Sequence, residues 1–204
     1  PYYINLASED AKKQKESVQR IMDSAERGHY LGAKEIVFHP AYFGKEDKER
    51  VYRTVKNHII DMMDKIEKNS WNVRLSPETT GKHSALGNLE EIIRLAKETG
   101  CSFNIDFAHL YARNYGKIDY KEILDKIERE LKPKHIQCHF SNISFTSKGE
   151  RNHENMNSHP PFEPLAREIL KRRIDFTIIS ESPVTWKDSL KMKGIFERLG
   201  YNFE

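Results

Sequence analysis

NVRLSPETTGKHSALGNLEEIIRLAKETGCSFNIDF, residues 72–107, contains one complete strand–helix–strand unit. An apolar run predicts a strand over residues 72–77, and Asn88 begins a capping box ahead of a helical stripe of apolar residues. Gly100 is placed to end that helix before a second strand, predicted over residues 102–106. Strands that a helix separates in this way pair in parallel through a right-handed crossover, so the unit indicates an α/β fold.

The same alternation continues on both sides of this unit. Further strands are predicted at 35–38, 135–140 and 176–181, which makes five in total. No composition shift or low-complexity linker divides residues 1–204, so we expect a single domain. The other predicted helices lie over residues 9–28, after Ser8 as N-cap, and over 51–66, 119–131, 164–173 and 187–199.

Residues 141–161, SNISFTSKGERNHENMNSHPP, form the longest stretch without a predicted element. The segment is polar, and a loop of this length inside a compact domain is usually functional or disordered. We interpret it as a functional loop.

Composition indicates where the protein is located but not what it does. The chain is 37% hydrophobic and 32% charged, contains two cysteines and has a formal net charge of +3. No run approaches the roughly 18 apolar residues of a membrane span, and the first residues lack the features of a signal peptide. Cys101 and Cys138 lie in apolar runs, which favours buried thiols in a cytoplasmic protein without a membrane partner.

Ionisable residues occur where each predicted strand ends. Their spacings of 28 to 42 residues each correspond to one βα unit, so parallel strands would bring all five side chains to one face. Imidazole and carboxylate groups in this arrangement suit zinc, manganese or iron, and a cation would offset the cost of several neighbouring carboxylates. His109 and His153 are placed to reach the same pocket. The five strand-end residues are His39, Glu78, Asp106, His139 and Glu181.

Six segments together resemble the successive motifs of the endonuclease IV family, also called AP endonuclease family 2, within the xylose-isomerase-like barrels. They follow the family's order and extend over essentially the whole chain. The segments are YYINLAS (2–8), LGAKEIVFHP (31–40), PETTGKHSALGNLEEI (77–92), NIDFAHLYA (104–112), HIQCHFSNISFTSKGERNH (135–153) and ISESP (179–183).

The resemblance implies a (β/α)₈ TIM barrel that hydrolyses DNA 5′ to abasic sites in base excision repair, with double-stranded DNA as partner. Because about five βα units are visible, we expect the first units of the barrel, and one further histidine ligand, to lie upstream of Pro1. The resemblance also implies two or three Zn²⁺ ions, with Mn²⁺ or Fe²⁺ as alternatives. Tyr2 falls where the family has an aromatic side chain that fills the gap in the base stack, although a packing role is equally compatible.

The resemblance assigns the predicted ligands to three metals. His39 and Glu78 would bind the first, and Glu78 would bridge it to a second. His109 and His153 would bind the third, and Glu78 with Glu181 are the candidate catalytic carboxylates. The ligands of the second metal would be Asp106, His139 and Glu181, together with Glu78.

One motif departs from the family pattern. The family has Asp-Arg-His where this chain has Arg151-Asn152-His153, and a guanidinium cannot coordinate zinc. We therefore expect a weak third metal site, in which the Asn152 amide, Glu150 or Glu154 replaces the missing aspartate.

Two other functions stay open. A sugar isomerase or epimerase would need one metal, held by the four ligands of the second site, and a carboxylate pair that moves a proton beside a carbonyl. A relative that binds damaged DNA without cutting it would fit Arg151 and the absence, from residues 1–204, of the further histidine ligand that the resemblance implies.

Overall fold

The computed structural model describes residue 1 and residues 3–203. The chain forms two compact units, Pro1–Asn104 and Ile105–Glu204, called here the first and second unit. Tyr2, the predicted DNA-stacking residue, lies outside the described residues. Within the described part, no helix has the length and apolar character that crossing a membrane requires.

The first unit alternates helices and strands as the sequence predicts. β1 pairs in parallel with β3, and the two short strands β2 and β4 pair antiparallel. Its elements are α1 (Ala11–Leu31), β1 (Glu35–Phe38), β2 (Ala41–Tyr42), α2 (Lys48–Lys68), β3 (Arg74–Pro77), β4 (Ala85–Leu86) and α3 (Leu89–Thr99).

The capping signals place two of these helices. The Asn88 side chain accepts a hydrogen bond from the Glu91 backbone, and the Glu91 carboxylate accepts one from the Asn88 backbone, so the predicted capping box is present. Gly100 ends α3 with a φ of 75°, a conformation that glycine adopts without strain. The N-cap of α1 is Asp10, not Ser8 as predicted, because the Asp10 carboxylate accepts from two backbone N–H groups.

The predicted stripe of α2 is the core-facing side of that helix. The five apolar residues of the stripe are all buried. Tyr52, also on α2, has the guanidinium of Arg94 from α3 over its ring, 3.9 Å from the centroid. Burial of each large aliphatic side chain stabilises the unit by about 1.5–3 kcal/mol. The stripe consists of Val51, Val55, Ile59, Met62 and Ile66.

The second unit continues the alternation from β5 (Asn104–Asp106), whose first residue closes the first unit. The order in its three-stranded sheet is β5-β6-β9, and β6 runs parallel to β9. The remaining elements are α4 (Phe107–Arg113), α5 (Tyr120–Leu131), β6 (His135–Phe140), β7 (Asn142–Thr146), β8 (Gly149–Glu154), α6 (Phe162–Leu170), β9 (Asp175–Ser180) and α7 (Trp186–Arg198).

The prediction of an irregular loop over residues 141–161 is wrong for most of that segment. It contains the antiparallel hairpin of β7 and β8. The sequence does not predict the hairpin, because β8, GERNHE, is almost entirely polar and lacks alternating apolar residues. The short helix α4 is also absent from the prediction, since the strand signal before it extends to Phe107.

All five predicted strands are present, with start and end points within two residues of the prediction. The described residues contain nine strands in total, and the four additional ones form the antiparallel pairs β2–β4 and β7–β8. The antiparallel pairs do not interrupt the alternation of helices with the five predicted strands. The predicted α/β fold is therefore confirmed.

Candidate metal centre

His39 and Glu78 follow two paired strands of the first unit. Phe38 lies beside Pro77 in the parallel register, so the next residue of each strand emerges at the same end. His39 Nε2 lies 3.1 Å from Glu78 Oε2, and the other carboxylate oxygen of Glu78 accepts a hydrogen bond of 2.8 Å from the Asn104 amide. These contacts hold a carboxylate that is only 4% exposed.

His139 and Glu181 form a similar pair in the second unit. β6 and β9 are parallel and in register up to Phe140 beside Ser180, and Glu181 follows directly. His139 Nδ1 lies 3.1 Å from Glu181 Oε1. The end of this sheet therefore presents an imidazole and a carboxylate side by side.

Asp106 connects the end of β5 to the start of α4. Its carboxylate is fully buried and accepts a 2.7 Å hydrogen bond from the His109 backbone, as the N-cap of α4. The cap fixes His109 in the first turn, where its Nδ1 lies 3.6 Å from Asp106 Oδ2. A single carboxylate thus starts the helix and faces the imidazole on it.

The hairpin brings two more ionisable groups to the same place. His153 Nε2 lies 3.6 Å from Glu181 Oε2, and its ring centroid is 5.1 Å from that of His109. Ser141 Oγ is hydrogen-bonded to His153 Nδ1 at 2.7 Å, which fixes the orientation of the ring. Glu150 Oε2 lies 3.2 Å from His109 Nε2.

The donor atoms of the second unit fit a divalent cation. One atom from each of Asp106, His109, His153 and Glu181 lies within 4.8 Å of the others, and the same distance applies among Asp106, His139 and Glu181. Imidazole nitrogens and carboxylate oxygens are the ligands that zinc and other first-row metals use. Without a cation, the carboxylates would repel one another in a largely buried place, at a cost of several kcal/mol.

The predicted ligands divide between the two units. The first unit brings together His39 and Glu78, and the predicted bridging role of Glu78 stays a prediction. The residues that the second unit brings together are Asp106, His109, His139, His153 and Glu181.

Three supporting residues were not identified as such from the sequence. Asn104 is the amide donor to Glu78, Ser141 contacts His153, and Glu150 was named only as one replacement for the missing aspartate. Ser141 could have been predicted as a site residue, because it directly follows β6, the strand that carries His139.

Both cysteines are buried, as predicted. Burial raises the pKa of the Cys101 thiol to about 11. Burial also raises the pKa of the Cys138 thiol well above its usual range, with a smaller contribution from the charge of Asp106. Cys138 is therefore protonated at neutral pH.

The family described as xylose isomerase-like TIM barrel matches residues 1–194. The chain therefore belongs to that family, and its α/β fold is of the TIM-barrel class. This confirms, at the level of the family, the resemblance that the motifs indicate.

Curated proteins similar in sequence include the following two. An uncharacterized protein of Methanocaldococcus jannaschii is 37% identical over 210 residues, which cover 98% of this chain and 76% of that protein. A probable endonuclease 4 of Mesomycoplasma hyopneumoniae is 27% identical over 162 residues, which cover 77% of this chain. The matched region is 56% of the length of that endonuclease.

Solved structures with a similar fold include the following two. Endonuclease IV from Thermus thermophilus has a TM-score of 0.73 at 20% identity, with 97% of this chain and 74% of that chain covered. A D-tagatose 3-epimerase-like protein has a TM-score of 0.68 at 17% identity, with 97% and 73% covered. Identities this low establish the fold alone.

Proposed function

We propose that the protein is a metal-dependent phosphodiesterase that cleaves DNA 5′ to abasic sites. The observation that carries the proposal is the imidazole and carboxylate cluster of the second unit, whose donor atoms suit more than one divalent cation. The motif order shared with the endonuclease IV family and the similarity to a probable endonuclease 4 support this reaction over others.

The residues of the second unit have distinct tasks in this reaction. A divalent cation supplies Lewis acidity, which activates water at neutral pH and neutralises charge on the phosphate oxygens. Asp106, His109, His139 and His153 would hold the cations. Glu181 has one oxygen beside His139 and the other beside His153, so it would position both rings and accept a proton from the attacking water.

The hairpin offers positive charge for the DNA backbone. Lys148 in its turn and Arg151 on β8 are both exposed. Contacts from such side chains to phosphates supply affinity without sequence preference and weaken as the salt concentration rises. We therefore expect binding to an abasic duplex to depend strongly on salt.

The test is incubation of the protein with a duplex oligonucleotide that carries one abasic site. With Zn²⁺ or Mn²⁺ we expect a single cut on the 5′ side of the site, no cut in an undamaged duplex and none in the presence of EDTA. Binding without a cut in every metal condition would favour the non-cleaving relative and contradict the proposal.

A matched pair of variants ties the reaction to the cluster. His139→Gln removes an imidazole at the carboxyl end of β6 and should abolish the cut. His135→Gln changes the same residue type at the other end of β6, where its Nε2 lies 2.9 Å from Thr177 Oγ1, and should leave cleavage unchanged. If His139→Gln cleaved as fast as His135→Gln and the unaltered chain, the cluster would have no role in the reaction.

A sugar isomerase or epimerase is the second candidate function. The fold similarity to a D-tagatose 3-epimerase-like protein favours it, as does the set Asp106, His139 and Glu181, which is sufficient for one metal. The test is a panel of ketoses with Mn²⁺ or Co²⁺, with epimerised products measured by chromatography. Turnover of a ketose together with an uncut abasic duplex would select this candidate.

A further inference from the structure

Asp188 is a buried carboxylate that the proposed metal centre does not use. It lies in the first turn of α7, where an acidic side chain is usually exposed and interacts with the partial positive charge of the helix N-terminus. The side chain of Asp188 is instead fully buried. A buried carboxylate is costly unless hydrogen bonds and an opposite charge compensate it, so the partners of Asp188 indicate its role.

One oxygen of Asp188 holds the segment that follows the hairpin. Asp188 Oδ2 accepts a 2.8 Å hydrogen bond from the backbone N–H of Met156. Met156 lies three residues after His153 and two residues beyond the end of β8. The hydrogen bond therefore ties the end of the strand that carries His153 to the start of α7.

A second contact joins Asp188 to the segment that carries Glu181. The hydroxyl of Ser182, the next residue after Glu181, donates a hydrogen bond to the Asp188 carboxylate. Lys191 Nζ lies 2.7 Å from Asp188 Oδ1. Burial by itself raises the pKa of Asp188, but these contacts and the Met156 N–H together hold it below its usual value, so the carboxylate is charged at neutral pH.

These contacts connect two segments that strand pairing leaves apart. His153 Nε2 lies 3.6 Å from Glu181 Oε2. However, β8 pairs with β7 and β9 pairs with β6, so the two side chains come from different sheets. Neither sheet fixes the distance between them, whereas the Asp188 carboxylate contacts both segments.

We propose that Asp188 is a positioning residue, which keeps His153 and Glu181 close enough to share a cation. The proposal rests on the proposed metal-dependent function and deepens it. Asp188 contributes no donor atom to the ligand groups of the described residues, so it acts through the Met156 backbone and the Ser182 hydroxyl. Residues that orient ligands in this way affect metal affinity although they do not touch the metal.

The first test needs neither metal nor DNA. Asp188→Ala removes the acceptor of the Met156 N–H, and we expect hydrogen exchange of that N–H to accelerate by on the order of 10-fold, which corresponds to one lost hydrogen bond. The ring nitrogen signals of His153 should shift as well. Both are measured by NMR of the metal-free protein. Unchanged exchange together with unchanged His153 signals would overturn the proposal.

The second test asks whether the position of His153 matters to a cation. Co²⁺ is titrated into the metal-free protein, and binding is followed by visible absorption. Asp188→Ala should weaken one class of sites by about 10- to 100-fold and change its absorption band. An unchanged titration would contradict the proposal. If the unaltered chain bound no Co²⁺, the proposed function would fail, while the NMR comparison would still decide whether Asp188 positions His153.

Two variants separate positioning from stability. Asp188→Asn keeps an oxygen for the Met156 N–H and should restore the His153 signals and the absorption band to those of the unaltered chain. Phe196→Leu, on the same helix, reduces a ring that packs 5.6 Å from that of Phe162, so it should lower the unfolding temperature and leave the Co²⁺ band unchanged. The same band change in Phe196→Leu as in Asp188→Ala would reduce the role of Asp188 to stability.

A third variant covers the case in which Asp188→Ala does not fold, as judged by circular dichroism. Ser182→Ala removes only the contact on the Glu181 side and leaves the Met156 hydrogen bond in place. It should change the Co²⁺ absorption band in the same direction and weaken binding to a smaller extent. In that case, a titration of Ser182→Ala identical to that of the unaltered chain would refute the proposal.

Discussion

The polar clusters of the two units are assembled in different ways. In the first unit, the parallel pairing of β1 and β3 is sufficient to place His39 beside Glu78. In the second unit, strand ends supply only part of the cluster, while α4 contributes His109 and the hairpin contributes His153. Two paired strands thus give a two-residue contact in the first unit, and the ends of three strands give the set Asp106, His139 and Glu181 in the second unit. The larger set of the second unit needs α4 and the hairpin as well.

The strongest test of this difference is Asp106→Asn in the second unit. Asparagine still caps α4, but its neutral amide is a poor ligand. We expect loss of metal binding and a fall in cleavage of about 10³-fold, because several kcal/mol of charge stabilisation is lost. The measurements are metal content and the rate on an abasic duplex.

Asp119→Asn is the matched control for that variant. Asp119 caps α5 in the same unit, where its carboxylate accepts a 2.9 Å hydrogen bond from the Glu122 backbone, and it belongs to no metal-ligand group of the described residues. Its metal content and activity should equal those of the unaltered chain. If Asp106→Asn retained full metal content, the cluster of the second unit would be a set of ion pairs.

A smaller effect is expected from Ser141→Ala, which tests whether the hairpin ligand needs support. The variant removes the hydroxyl that contacts His153 Nδ1, and partners of this kind contribute about 10- to 100-fold in metal affinity. Ser144→Ala on the same hairpin removes a 3.3 Å hydrogen bond to the Asn152 carbonyl and should have no effect on the metal. Equal affinity of the two variants, measured by calorimetry, would contradict the support role.

In the first unit, Asn88→Ala should affect stability and leave the metal ligands of the second unit unchanged. The variant removes one half of the capping box of α3, at a cost of about 1 kcal/mol. Asn88→Asp keeps an acceptor at the N-cap and should cost less. Thermal unfolding measures the stability of both variants, and a change in metal content would show that the two clusters are not independent.

The smallest expected effect concerns the cysteine of each unit. The pKa of Cys101 is raised to about 11 and that of Cys138 is raised further, so neither thiol forms appreciable thiolate at pH 8. Iodoacetamide should label neither in the folded protein at that pH and both in denaturant. As the pH rises towards 11, Cys101 should react first, and earlier labelling of Cys138 would contradict the stronger burial in the second unit.

The sequence predicts most of what strand ends determine. The five strands, the capping box at Asn88 and the pairing of His139 with Glu181 all follow from local signals, since a parallel sheet brings strand ends to one side. His109 is named from its position three residues beyond Asp106, although the helix that carries it, α4, is not predicted.

The rest depends on contacts that leave no local pattern. A polar hairpin gives no apolar alternation, so the sequence of β7 and β8 resembles that of a loop. Asn104 lies in a strand like many buried amides, and only the fold shows that it donates to Glu78. The contact of Glu150 with His109 depends on how β7 and β8 pair, and the sequence carries no local signal for that pairing.

The β7–β8 hairpin contains a β-bulge. Ser144 pairs with Asn152 and Phe145 with Glu150, so Arg151 is an extra residue on β8. The bulge puts Glu150 and His153 on the same face of the hairpin, although they are three residues apart, and Glu150 Oε2 lies 3.2 Å from His109 Nε2. Residue spacing along such a strand therefore does not predict which side chains share a face, and a substitution at position 151 changes an exposed side chain beside the cluster.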